Sequence, residues 1–365
     1  MGKTRQVRCG TVQIGGDAPV SIQSMTNTDS RDERALTEQI ARLADAGCQI
    51  VRISVPDAES VEVFGRVKQK FPKLPLVADI HFDYRMALEA VRQGADKIRI
   101  NPGNIGDSER VRKVVQAAKE RQIPIRVGVN SGSLERPILE KYGGVTAEAL
   151  AESALYNLRM IEDMGYDQLV VSLKASDVVL NYQAHQILAA KTDHPVHVGI
   201  TEAGTPKRGK LKSAIGIGSL LLAGIGDTMR VSLTADPVEE VYFAKEILRS
   251  LGLRRSSIDL ISCPTCGRTK IDLEALANEV ETRLEPLEEV LAAKGFPSLK
   301  VAVMGCAVNG PGEAAEADFG VAGGEGSGIL FENGKIVETA VPEEALAEAL
   351  LNRIRRRIFA DEAVD

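Results

Sequence analysis

Between about residues 20 and 250 the chain repeats one pattern eight times, a short β-branched run followed by an amphipathic helical stretch. The runs are VSIQS (20–24), QIVRIS (49–54), PLVADI (75–80), DKIRI (96–100), PIRVGV (124–129), DQLVVSL (167–173), PVHVGI (195–200) and DTMRVSL (227–233). Between them Leu36, Ile40, Leu43 and Ala44 share one face, as do Val111, Val114, Val115 and Ala118, the spacing of helices with a single apolar stripe. Gly47, Gly94, Gly165 and Gly252 stand where a helix ends on a left-handed residue. Asp236-Pro237 offers an N-cap and a first-turn proline. Strands alternating with helices require crossover connections, hence a parallel sheet. Eight of them in about 250 residues match a closed (β/α)8 barrel of the TIM type. An open doubly wound sheet would show a Gly-rich fingerprint after its first strand, and VSIQSMTNTDS has none.

After Leu253-Arg254-Arg255-Ser256-Ser257 the pattern stops. This predicts a barrel over residues 1–255 and a small α+β module over 256–365. In the module IDLIS leads to Cys263, a helical stretch covers 271–294, and KVAVMG (300–305) reads as a buried strand. Asn333-Gly334 within ILFENGKIVET has the chemistry of a tight hairpin turn, and EEALAEALLNRIRRRIF that of an amphipathic helix. A chain of 365 residues is long enough for two cores. No apolar run reaches the roughly 18–20 residues that cross a bilayer, and MGKTRQVRCG lacks the apolar stretch of a signal peptide. The expected location is cytoplasmic. A formal net charge of −6 argues against a general nucleic-acid binder.

Barrels of this type carry their chemistry at the C-terminal strand ends. Those positions hold Arg52, Asp79, His81, Arg99, Asn101, Arg126, Asn130, Lys174, Glu202, Arg230 and Ser232. Arg52, Arg99, Arg126 and Arg230 lie between apolar neighbours, so their side chains are expected in the barrel mouth. Four arginines and Lys174 converging there cost several kcal/mol per buried ion unless an anion compensates. Guanidinium forks pair with phosphate oxygens. The inferred substrate is a polyanion with two phosphates. Asp79, His81, Asn130 and Glu202 are left for polar contacts or proton transfer.

Five cysteines are an odd number for a disulfide framework. Cys9 and Cys48 read as buried small residues. Cys263-Pro-Thr-Cys266 and Cys306 cluster among Gly and Pro in the last third, while all four histidines fall in the barrel. Structural zinc normally takes four Cys/His ligands. Three thiolates also fit a [4Fe–4S] cluster whose fourth iron has another ligand. The cysteines alone leave both metals open.

The segments VRISVP, DIHF, KIRINPGNIG, RVGVNSGSL, SLKASD, GITEAG, IGDTMRVSLTADP, SCPTCGR and MGCAVNGPGEA resemble the 4-hydroxy-3-methylbut-2-en-1-yl diphosphate synthases, in one order over essentially the whole chain. The resemblance implies an N-terminal barrel and a C-terminal cluster domain akin to sulfite and nitrite reductase modules. It implies conversion of 2-C-methyl-D-erythritol 2,4-cyclodiphosphate to the linear hydroxymethylbutenyl diphosphate in the non-mevalonate isoprenoid pathway. The two electrons come from reduced flavodoxin or ferredoxin. By the same resemblance Cys263, Cys266 and Cys306 are the thiolate ligands and Glu313 the fourth. Arg52, Arg99, Arg126, Lys174, Arg230 and Ser232 are diphosphate ligands, with Asp79 and Asn130 beside them, and Glu202 delivers protons. Family members are head-to-tail homodimers. The competing reading is a phosphosugar aldolase or synthase with a structural zinc module, in which Lys174 forms a Schiff base. A phosphometabolite-binding or iron-sensing protein would leave Glu202 and Asp79 without work. Arg353, Arg355, Arg356 and Arg357 are expected to complement a helix dipole rather than to receive an acidic donor.

Overall fold

A short antiparallel hairpin precedes the repeats: β1 (Val7–Cys9) pairs with β2 (Val12–Ile14). The computed structural model describes residues 4–254, 258–306, 312 and 314–359. The chain divides into two units, Met1–Leu251 and Gly252–Asp365.

In the first unit the eight runs form β3 (Ser21–Met25), β4 (Ile50–Ser54), β5 (Leu76–Asp79), β6 (Lys97–Ile100), β7 (Ile125–Asn130), β8 (Leu169–Lys174), β9 (His197–Val198) and β10 (Thr228–Met229). They pair in parallel in the order β8-β7-β6-β5-β4-β3-β10-β9. A parallel bridge from Val171 to Val196 joins the two ends, so the sheet curls into the barrel expected from the alternation. Asp32, Asp57, Asp83, Asp107, Asp177 and Asp236 each accept a backbone N–H at the start of a helix, which is why those helices begin where they do. Gly47 and Gly94 close the preceding turns at φ 85° and 91°, a conformation that favours glycine.

The period-two alternation of the strands decides what lies inside. Ile22, Val51, Ile53, Ile98, Ile125, Val127, Leu169 and Val171 point outward and bury against Leu36, Ile40, Val111 and Val115 of the helices. Ile50 and Val77 point inward at the N-terminal ends of their strands and meet Cys9 and Ile14 of the hairpin. The hairpin, which the alternation gave no reason to expect, floors the barrel and leaves the C-terminal strand ends as its mouth. Cys9 and Cys48 are buried, as expected. Two ladders are shorter than their sequence runs. Beyond β9 and β10 the backbones crowd, because a β-carbon on Gly199 would lie 2.7 Å from the Arg230 carbonyl oxygen. The chain turns away there to form the rim.

In the second unit β11 (Ile258–Ser262), β12 (Leu299–Met304) and β13 (Phe319–Gly323) are parallel, while β14 (Ser327–Glu332) and β15 (Lys335–Pro342) continue the sheet antiparallel. Helices Leu273–Ala293 and Leu346–Ile358 bury Val280, Leu284, Leu350 and Ile354 against Val301, Val303 and Val321. Asn333 and Gly334 take φ of 49° and 74°, the paired positive values of a type I′ turn. Among the described residues no helix is long and apolar enough to cross a membrane.

Candidate active site

The side chains that share parity with Ile50 and Val77 continue up the lumen to its mouth. Register sets Arg52 beside Val77, Asp79 beside Arg99, Arg99 beside Arg126, and Asn130 beside Lys174. Asp79, 1% exposed, is the hub. Arg99 Nη1 donates to its Oδ1 at 3.2 Å, and Arg52 Nε and His81 Nε2 lie 3.6 and 3.8 Å from its Oδ2. Burial works to raise the Asp79 pKa, but Arg52 and Arg99 outweigh it and hold the carboxyl below its ordinary range.

The neighbouring cations have less compensation. Arg126 is 1% exposed, and its Nε and Nη1 are buried with no hydrogen-bond partner among the described residues. Burial, then the charges of Arg52 and Arg99, drives its pKa well below the usual value, yet an arginine remains charged. Lys174 is buried, and desolvation followed by Arg126 and Arg230 depresses its pKa strongly. Arg52 is pushed down to about 10, chiefly by burial. The five cations Arg52, Arg99, Arg126, Lys174 and Arg230 face two buried carboxylates, Asp79 and Glu240. The surplus is positive, and a multiply charged anion is the ligand that relieves it.

Glu240 and Met25, which no sequence motif marks, also belong to the mouth. Glu240, 3% exposed, receives Arg230 Nε and Nη2 at 3.2 Å each, Ser24 Oγ at 3.1 Å and the Leu233 N–H at 3.0 Å. Met25 Sδ lies 3.1 Å from Arg52 Nε and 3.8 Å from Arg230 Nη1, between the two guanidiniums. Ser232 is half-buried on the segment that Glu240 pins. Asn130 closes β7 at the mouth. Asn101 serves the fold, its Oδ1 accepting the Gly103 N–H at 3.1 Å to cap a short helix. His81, with 44% of its side chain exposed, stands on the rim. Glu202 is exposed in the TEAG loop at φ 51°, a costly backbone conformation for a non-glycine residue that concentrates at functional loops.

In the second unit Cys263 follows β11 and Cys306 follows β12, and these strands are parallel neighbours. Both cysteines therefore leave the same end of the sheet. The Gly305 N–H donates to Cys263 Sγ at 3.2 Å, and the Lys270 N–H donates to the Gly305 carbonyl at 3.1 Å, tying the two cysteine loops together. Cys266 is exposed, and hydrogen bonds from the Arg268 backbone and side chain lower its pKa, which favours the thiolate a metal needs. Among the described residues no three metal-ligating side chains are already gathered. Glu313 lies outside the described residues. His185, His194 and His197 are buried in the barrel unit, whereas the three cysteines belong to the second unit. The three thiols, with the Gly305 N–H aimed at Cys263 Sγ, have the chemistry to hold a thiolate-bound metal group such as an iron–sulfur cluster.

Two family models match the chain: the GcpE TIM-barrel domain over residues 4–245 and the GcpE protein C-terminal domain over residues 259–356. The chain is 54% identical over 355 residues to a 4-hydroxy-3-methylbut-2-en-1-yl diphosphate synthase (flavodoxin) of Caldanaerobacter subterraneus, covering 97% of each. It is 55% identical over 354 residues to the enzyme of that name from Geobacter sulfurreducens, covering 97% of this chain and 98% of the relative. Among solved structures, the Yersinia pestis dihydropteroate synthase covers 68% of this chain with a TM-score of 0.51 and 14% identity, over 98% of its own length. That likeness concerns the fold alone.

Proposed function

Since the chain belongs to the GcpE family, whose relatives are 4-hydroxy-3-methylbut-2-en-1-yl diphosphate synthases, we propose that it converts 2-C-methyl-D-erythritol 2,4-cyclodiphosphate to 4-hydroxy-3-methylbut-2-en-1-yl diphosphate. This is a step of the non-mevalonate isoprenoid pathway. The protein is an oxidoreductase and takes its electrons from flavodoxin, with ferredoxin as the alternative donor.

The observation that carries the reading is the uncompensated positive charge of the mouth. A cyclic diphosphate supplies the missing negative charge, and Arg52, Arg99, Arg126, Lys174, Arg230 and Ser232 are its ligands. Asp79 keeps Arg52 and Arg99 apart and aimed. Asn130 completes the polar wall. The reaction takes up two electrons and two protons: one ring C–O bond breaks, leaving the diphosphate on one carbon, and a hydroxyl departs as water. Glu202, solvent-accessible on its strained loop, donates the proton that this hydroxyl oxygen needs. A [4Fe–4S] cluster held by Cys263, Cys266 and Cys306, with Glu313 as the non-cysteine ligand, supplies the single-electron transfers that side chains do not perform.

A homodimer in which each chain's cysteine module serves its partner's barrel completes the reading, in a cytoplasm that keeps the five thiols reduced. Mixing Cys306→Ala chains with Glu202→Gln chains then restores part of the activity, and absence of complementation counts against sharing. Anaerobic isolation followed by iron, sulfide and zinc analysis tests the cofactor. A brown protein with iron and acid-labile sulfide supports the reductase, and a colourless protein carrying zinc supports the aldolase or synthase alternative.

A further inference from the structure

We infer that Glu240 is a positioning residue for the diphosphate, acting through Arg230 and the Ser232 segment; this rests on reading those two residues as diphosphate ligands. Glu240 comes from the helix Pro237–Ser250, outside the barrel wall, yet its carboxylate is 3% exposed and spends both oxygens on the mouth. Oε2 accepts from Arg230 Nε and from Ser24 Oγ on β3, at 3.2 and 3.1 Å. Oε1 accepts from Arg230 Nη2 at 3.2 Å and from the Leu233 N–H at 3.0 Å.

The fork-to-fork pairing fixes the guanidinium plane. It leaves Nη1 on the side facing Met25 and Arg52. The Leu233 contact fixes the backbone one residue beyond Ser232, so a single carboxylate sets both ligands at once. Ser24 in turn holds the carboxylate, its hydroxyl also lying 3.4 Å from the Pro237 carbonyl. A structural ion pair would need none of this convergence on one edge of the mouth. Adjacent Glu239 shows the contrast: it is exposed, and its partner Lys210 lies 3.6 Å away.

The test uses the full-length holoenzyme. Glu240→Gln keeps the shape but loses the charge that orients Arg230. It is expected to raise KM for the cyclic diphosphate ten- to a hundredfold while kcat changes less than threefold, the signature of lost ground-state positioning. Ser24→Ala, a milder change, is expected to raise KM two- to fivefold, and Glu240→Asp to recover part of the loss. Because Glu240→Gln keeps a side-chain oxygen for the Leu233 N–H and loses only the charged pairing with Arg230, the Glu240→Gln/Arg230→Gln double variant is expected to be no worse than Arg230→Gln alone. Glu239→Gln serves as the control and leaves KM unchanged. Calorimetry with inorganic pyrophosphate reads the same coupling without turnover. An unchanged KM in a folded Glu240→Gln protein, or additive losses in the double variant, overturns the inference. A folded wild type that binds neither pyrophosphate nor the cyclic diphosphate overturns instead the reading of the mouth on which it rests.

Discussion

Gly128 and Arg99 are fitted to each other: a β-carbon on Gly128 would lie 2.6 Å from Arg99 Nε and 2.9 Å from Nη2. The guanidinium occupies the space that any other residue on β7 would fill. Gly128→Ala must shift the Arg99 guanidinium out of this position. A hydrogen bond between charged groups is worth about 1.5–3 kcal/mol, so the variant is expected to lose about tenfold or more in affinity for the cyclic diphosphate while keeping its circular dichroism. Calorimetric titration measures this, and wild-type affinity would show that Arg99 need not sit there.

Asp79 makes the mouth sensitive to acid. Its folded pKa lies below the ordinary value, because Arg52 and Arg99 overcome the effect of burial. The stabilisation from its charge is therefore present above the unfolded carboxyl pKa of about 4 and is lost as pH falls through the folded value. Thermal melts are expected to show a drop in stability below about pH 4 that Asp79→Asn makes shallower, the remainder coming from surface carboxylates such as Asp57 whose pKa is also lowered. At neutral pH that variant should be less stable by about 3–5 kcal/mol, the cost of stripping the partner from buried charges.

Lys174 gives binding the opposite dependence. Burial, with Arg126 and Arg230 adding to it, depresses its pKa strongly in the free protein. The ammonium form is the one that holds an anion, so binding draws in a proton and affinity weakens as pH rises through the depressed pKa. Titrations at a series of pH values should show this slope, with proton uptake detectable in buffers of different ionisation enthalpy. Lys174→Met should flatten the slope and stabilise the unliganded protein. A slope that survives in Lys174→Met assigns the proton to another group.

Arg353, Arg356 and Arg357 of the last helix stand away from the cysteine end of their sheet. Arg353 is occupied by Glu332 and Glu338 at 2.8 and 3.1 Å. Arg356 and Arg357 line a hollow with Ser298, Asp318 and Asn333, at the N-terminal end of β12. Cys306 follows the other end of that six-residue strand, about 17 Å away along the sheet. Charge reversal of Arg356 and Arg357 is expected to leave the rate of reduction by flavodoxin within twofold of wild type. A tenfold loss would move the donor site to this end.

The sequence carried the fold because both of its periodicities are strong. Ile22, Val51, Ile98 and Val127 alternate with the lumen residues, and Leu36, Ile40 and Val115 line the helices against them. It carried the cations of the mouth for the same reason, since parity sends Arg52, Arg99 and Lys174 inward. The floor hairpin escaped because β1 and β2 have three residues each, too few to show a period. Glu240 escaped because Glu239-Glu240 reads as a solvated helix start. The signal was present nonetheless: Glu240 shares its helical face with Val241, Ala244, Ile247 and Leu248, all buried. Asn101 sits at a strand end like the proposed ligands, but it caps a helix, a role that strand position alone does not distinguish.

The most direct measurement is turnover of 2-C-methyl-D-erythritol 2,4-cyclodiphosphate by anaerobically isolated protein with a one-electron chemical reductant. One linear diphosphate is expected for every two electrons consumed, with loss of activity in Cys306→Ala and a greatly raised KM in Arg126→Gln. Iron–sulfur-loaded, reduced wild-type protein that binds the cyclic diphosphate and leaves it intact would contradict the proposed reaction.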